Sequence, residues 1–422
     1  MKRRRPAALA LLALLATVPA HADERSDEIA ELRRQIALLT RRIDQLEHQQ
    51  APRPEEATPR RNVTAAETPA APSLERRVAD LERTVDGNSN VLAKAEWIDR
   101  IKIKGDVRYR FEHIDAEHQT VKNRQRIRAR LGVFADVNDW VTAGFAVRTG
   151  DKANSGNVTI GEHWDGFKLS VSQAYVGLAP LEEKYGNLTL GKFKQPWKNL
   201  STLLWDGDLN PEGIVYGYNA KAKKDGLFAT AGGYRVAEDS GSAHDLSLAG
   251  AQAGYRLPLG EKSQLLAGGS FYYYGDATDF YDPAYKQSYA EDFRVGQAFA
   301  ELSFKDVGPV NVAFFGDAAE NFAADANAGA YLAGIKISGD KWSVKYDYRV
   351  LGLNAIPAYF SDSDFAEGGT GTSGHYLKAK YDLAKHLSAG ISYIAAKRDD
   401  DRTGGNGDLE VNTLLLDLMA GF

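Results

Sequence analysis

Cysteine is absent from the 422 residues, which excludes disulfides, thiolate metal centres and Cys nucleophiles together. Excess charge is small as well: the formal net charge is only −5, so a generic nucleic-acid binder is excluded. No stretch after the first 22 residues carries the ~20 consecutive apolar residues that a spanning helix needs. The chain has no G-x-S-x-G, no H-E-x-x-H and no phosphate loop, so no cofactor, metal or catalytic residue is expected from motifs. His244-Asp245-Leu246-Ser247 brings triad residue types together, but neighbours along a chain are not a geometric triad. The run Asp399 to Asp401 reads as a solvated loop rather than a calcium ligand set.

What is present is ordinary in bulk, with 43% hydrophobic and 26% charged residues and a hydrophilic mean hydropathy. That balance argues against spanning helices but not against membrane strands, which show lipid only every second residue. The 40 glycines, 20 tyrosines and 17 phenylalanines suit a sheet protein rich in turns and interfacial aromatics. The organising stretch is the last one. Leu414, Leu416, Leu418, Ala420 and Phe422 alternate with Thr413, Asp417 and Gly421, the pattern of a strand with one oily face, and in a barrel this strand closes on the first.

The chain begins with Lys2 to Arg5, an apolar run from Ala7 to Val18 and Ala20-His21-Ala22. Residues 1–22 therefore read as an export signal. In residues 23–50, Ile29, Leu32, Ile36, Leu39, Ile43 and Leu46 recur at steps of three and four, which predicts a short α-helical coiled coil. A Pro/Ala-rich linker is expected at 51–72, and a second short helical stripe at 73–95 carries Leu74, Val78, Leu81 and Val85.

From 96 to 422 the period becomes two. Ile101, Ile103, Val107, Tyr109 and Phe111 share a face against Lys102, Lys104, Asp106, Arg108, Arg110 and Glu112; Ile127, Ala129, Leu131 and Val133 oppose Arg124, Arg126, Arg128 and Arg130. Segments of this type are expected at about 101–113, 124–136, 140–149, 168–178, 186–193, 214–224, 226–236, 246–257, 263–275, 293–305, 308–318, 328–338, 340–350, 373–384, 386–397 and 409–422. Those at 168–178 and 246–257 alternate poorly. Long connections follow the odd-numbered strands and short ones the even. Alternating loop lengths and an even strand count predict an all-β fold, a 16-stranded antiparallel transmembrane β-barrel preceded by the coiled coil, with a lumen too wide for side chains to fill.

Two groups of residues would shape that lumen. Lys102, Lys104, Arg108, Arg110, Arg124, Arg126, Arg128, Arg130 and Arg148 fall on the polar face of the first three strands. An Arg or Lys on lipid costs about 2–4 kcal/mol near the midplane, so these side chains are expected to line water and favour anions mildly. The third long connection, Lys194 to Gly213, holds Trp197 and Trp205 beside Asp206, Asp208 and Glu212, and is expected to fold inward as a constriction with its carboxylates facing the channel.

The stretches IKIKGDVRYRFEH, NRQRIRARLGVFADVNDWVTAGFAVRTG, GKFKQPWKNLSTLLWDGDLNPEG and LLLDLMAGF resemble the putative porin family of proteobacterial outer membranes. More loosely the chain is similar to the phosphate-selective porins, which also place a coiled coil ahead of a sixteen-stranded barrel. The resemblance implies passive diffusion of small hydrophilic solutes, a homo-oligomer, namely a trimer, in outer-membrane lipid, and an inward third loop; it does not carry a phosphate specificity. The N-terminal coiled coil would sit in the periplasm. The competing readings are an envelope tether gripping a periplasmic partner through its coiled coil, and an outer-membrane hydrolase.

Overall fold

The computed structural model describes residues 99–422 apart from 162, 180–185, 238–244, 276, 279–280, 283–286, 290 and 400–406. The expected export signal, coiled coil, linker and second stripe lie outside the described residues.

The period-two segments form sixteen strands: β1 Ile101–Ala116, β2 Lys122–Asn138, β3 Val141–Thr149, β4 Leu169–Leu178, β5 Asn187–Lys192, β6 Glu212–Tyr218, β7 Gly226–Ala237 and β8 Leu246–Pro258. They continue as β9 Ser263–Gly275, β10 Phe293–Val307, β11 Val310–Asn321, β12 Gly329–Ser338, β13 Trp342–Leu351, β14 Thr372–Ala384, β15 Leu387–Asp399 and β16 Asp408–Gly421. Each pairs antiparallel with the next, and β1 pairs with both β2 and β16, so the sheet closes and leaves no edge. At the seam Asp106 lies opposite Gly421 and Arg110 opposite Asp417. Gly105 exchanges two backbone hydrogen bonds of 3.0 Å with Phe422. A Cβ on Gly105 would meet the Phe422 ring at 2.4 Å, so only glycine lets the terminal aromatic lie flat on the join.

The outward residues are apolar, as lipid requires. Ile103, Val107 and Tyr109 on β1, Leu131 and Val133 on β2, and Leu418 and Phe422 at the end of the chain are all exposed on the outer wall. Leu414, Leu416 and Ala420 share that parity. Trp140, Tyr218, Tyr255, Trp342 and Tyr381 are exposed beside the short turns, where amphipathic rings settle at a membrane interface.

Two expectations about strands are corrected. The sixth strand runs 212–218, not 214–224, because the chain leaves the wall at Asn219 (φ 45°) and Ala222 (φ 49°). The Asn219 side chain ties that turn, accepting from Lys224 N at 3.1 Å and donating to Lys224 O at 2.8 Å. The lumen is also not simply open. Across β6 to β13 the inward residues include Val215, Tyr234, Leu248, Tyr272, Val295, Phe315 and Leu332, all buried in one apolar cluster with Trp197, Leu203, Trp205 and Phe360 from the loops. Half of the cylinder is thus lined with hydrocarbon and covered by chain. Most of the inward charged residues occupy the other arc, β13 to β3 across the seam.

Candidate functional site

The connection 193–211 turns into the barrel. Trp197 is 1% exposed and packs edge-on against Tyr272 and Tyr234, with ring centroids 5.2 and 5.8 Å away. It reaches the wall because Gly250 on β8 has no Cβ; one added there would stand 2.8 Å from the indole. Trp205 packs on Tyr272 at 5.3 Å and on Phe360 at 5.1 Å. Lys221, in the tucked turn after β6, donates to the carbonyls of Gln195 and Trp197 at 2.6 and 2.7 Å, pinning the root of the loop. Burial lowers the Lys221 ammonium to about 8, with further depression from Lys194, Lys198 and Lys223.

A second connection, 352–371, folds inward over the first. Asp206 N donates to Phe360 O at 2.8 Å. The Asp206 carboxylate in turn accepts from Ser363 N and Asp208 N, both at 2.8 Å. Thr202 donates to Asp362 at 2.6 Å, and Arg349 on β13 reaches Asp362 at 3.3 Å. Burial first, then the neighbouring Asp362 carboxylate, raises Asp206 to about 7. Asp364 goes the other way: burial opposes its charge, but Arg110, Arg108 and Arg126 hold it below the usual carboxylate range. This second inward loop was not anticipated from the sequence. The signal was available, since Ile356, Phe360 and Phe365 are as apolar as the tryptophans of 193–211 and are buried in the same way.

Between these loops and the charged arc lies an eyelet of about 290 Å³. Its lining is balanced, with Arg108, Arg128, Lys345, Arg349 and Lys378 facing Asp206, Asp208, Asp347, Asp362 and Asp364. The inward arginines expected from β1 to β3 are there, but held. Arg110 forms a two-pronged pair with Asp417 across the seam at 2.7 and 2.9 Å and a third bond to Asp364 at 2.7 Å. Arg124 and Arg126 share Glu112 at 2.9 and 3.5 Å. Arg128 and Arg130 share Asp106 at 2.9 and 2.7 Å and approach Asp208 at 3.6 and 3.4 Å. Arg108 donates to Asn157 at 2.6 Å. Arg148 donates to the carbonyls of Lys152, Ala153 and Asp208, tying the connection 150–168 to the constriction. Lys102 pairs with Asp136 at 2.9 Å.

Below the eyelet, toward the short turns, a larger cavity of about 680 Å³ is lined by Lys102, Lys104, Arg130, Arg148, Lys194 and Lys223 against Asp106, Asp136 and Asp208. One expected constriction residue is misplaced. Glu212 opens β6 on the parity of Ile214 and Tyr216, which are exposed on the outer wall, and pairs there with Lys192. It therefore contributes nothing to the channel. Of the suspected triad, His244 lies outside the described residues and Asp245 is paired with Arg235 at 2.8 Å. Asp400 and Asp401 likewise lie outside them.

A closed sixteen-stranded cylinder with an oily exterior, narrowed by loops folded onto one inner wall, defines a membrane channel of the porin class. The chain belongs to the putative porin family, whose model matches residues 113–298 and 316–422. Among solved structures it is similar to Pseudomonas putida OprB in its high-pH form, at 12% identity and a TM-score of 0.56 over 78% of this chain and 96% of that one. It is also similar to Salmonella typhi OmpF in complex with daunomycin, at 12% identity and a TM-score of 0.50 over 76% and 97%. At such identities the likeness is one of fold. A search of curated proteins finds no match.

Proposed function

We propose that this porin passes small hydrophilic solutes through the eyelet between the inward loops and the charged arc, with a mild preference for anions. The observation that carries the preference is the cavity below the eyelet, where six cations face three carboxylates. Within the eyelet itself charges are matched, so its field is transverse rather than selective. Screening over ~8 Å at physiological ionic strength keeps the bias small. The short turns face the periplasm and the long loops the exterior. The proposal extends to a homotrimer in the outer membrane, with residues 1–22 removed on export, 23–50 and 73–95 forming periplasmic helices around the linker 51–72, and the barrel beginning near 96.

A planar bilayer holding the purified protein under a tenfold KCl gradient tests the preference. A reversal potential of anion-selective sign is expected, and the cation-selective sign overturns the reading. Deleting residues 23–95 separates channel from tether: the barrel is expected to conduct without them.

A further inference from the structure

The arginines of β1 and β2 stand opposite one another in register, yet each pair has a carboxylate beside it. A different row of cations has a single carboxylate in reach, and that one is held elsewhere. Lys336 on β12 lies directly opposite Lys345 on β13, and Lys345 directly opposite Lys378 on β14. The row is flanked by Ala313 on one side and Ser392 on the other. Directly opposed residues on neighbouring strands sit about 5 Å apart, and like charges so placed destabilise a sheet.

Local partners do not relieve this repulsion. Among the described residues the one carboxylate within ion-pair distance of the row is Asp347, 4.0 Å from the Lys345 ammonium, and Asp347 is already held by Arg349 at 2.8 Å. Lys345 also rests over the Phe315 ring at 4.5 Å and donates to Leu200 O at 3.2 Å, which keeps its head facing the channel side of the loop. Lys336 and Lys378 are exposed to the lumen. Lys198, on the underside of the constriction loop, is depressed first by burial and, among its charged neighbours, by Arg256 and Lys336, with Glu301 acting the other way.

We infer that Lys336, Lys345 and Lys378 form a seat for a solute carrying two or more oxyanion groups, phosphate or carboxylate, at the short-turn edge of the eyelet, where Lys345 and Lys378 enter its lining. A multivalent anion bridging the row supplies the negative charge that Asp347, committed to Arg349, gives only in part, whereas a monovalent one satisfies a single lysine. This reading deepens the channel function and rests on it.

The test is block of chloride current in planar bilayers at low salt, with sodium tripolyphosphate or sodium citrate added from the short-turn side and block expressed as a fraction of each variant's own open current. For the wild type, half-block is expected at submillimolar tripolyphosphate. In the Lys336→Gln, Lys378→Gln double variant that concentration should rise at least tenfold. In a Lys102→Gln, Lys104→Gln variant, which removes equal charge elsewhere in the lumen, it should rise less than threefold. Block by both probes supports an oxyanion seat in general; block by tripolyphosphate alone narrows it to phosphate. A conducting wild type that neither probe blocks, or equal loss in both double variants, overturns the seat. A wild type that inserts and passes no chloride overturns the channel reading and the seat together. Should the double variant fail to assemble, Lys336→Gln and Lys378→Gln are read singly, each with a threefold or larger shift expected.

Discussion

The two halves of the lumen face the same cavity and are built by opposite rules. From β6 to β12 most of the inward positions carry hydrocarbon, and the wall is finished by Trp197, Leu203 and Trp205 from one loop and Phe360 from another. From β13 to β3 across the seam the inward positions carry guanidinium, ammonium and carboxylate groups, and water finishes the wall. The difference teaches where the aperture is set. Packing on the apolar half fixes the position of the loops, and the charged half then decides what passes the gap they leave. A porin constriction is in this sense a small soluble core built inside a membrane barrel.

The largest effect is expected from attacking that core. Trp205→Ala removes a side chain 3% exposed, and truncating a buried Trp costs about 3–5 kcal/mol. The loop should leave the wall, and single-channel conductance in KCl should rise severalfold while the inner charges are unchanged. An unaltered conductance would break the comparison, because the loop would then be held by its charged contacts instead.

Next in size is Arg110→Met. It leaves Asp417 and Asp364 without their main partner, and breaking a buried pair costs about 3–5 kcal/mol. A clear fall in the thermal midpoint of the detergent-solubilised barrel is expected. Arg124→Met, at a partly exposed site, should shift the midpoint less, since the buried Glu112 carboxylate keeps Arg126 at 3.5 Å.

A smaller effect sharpens the boundary between the halves. Asp206 is held at about 7, well above the ordinary ~4 for this side chain. Its facing groups are Asp362 and Asp208, which raise it, with Arg128 and Lys345 across the eyelet. Because folding raises this group, its contribution to loop packing is full below about pH 4 and is lost as the pH rises through about 7. Backbone protection in 193–211 and 352–371, measured as exchange relative to the intrinsic base-catalysed rate, should therefore fall between pH 5.5 and 8.5, and Asp206→Asn should flatten that fall. The smallest effect belongs to the vestibule: Lys102→Gln with Lys104→Gln should move the reversal potential toward zero by a few millivolts.

The strand set was legible because lipid enforces alternation on at least one face of every strand. Where the sequence blurred, the structure supplies the cause. On β8, Leu246 and Leu248 point inward while Ala249, Ala251 and Ala253 point out, so both faces are apolar and the period fades; the inner one is covered by a loop. On β4 a register shift opposite Ala146 and Val147 changes the parity between Val171 and Ala174. Glu212 was misread because a carboxylate near a loop end shows nothing of the parity it inherits from the strand it begins. The lysine row was invisible for a further reason: Lys336, Lys345 and Lys378 lie on three strands and are brought together only by register, whereas the arginines of β1 and β2 announce themselves within two short stretches.

The Arg110 and Asp417 pair stands 307 positions apart in the chain, at the one junction that can form only after every other strand is in place. A slip of one residue there would turn the slipped strand's charge into lipid, at about 2–4 kcal/mol if it is the arginine, and its apolar neighbour, Phe111 or Leu416, into water. The bond therefore works as a lock that accepts a single key, rejecting miswound cylinders before they are sealed.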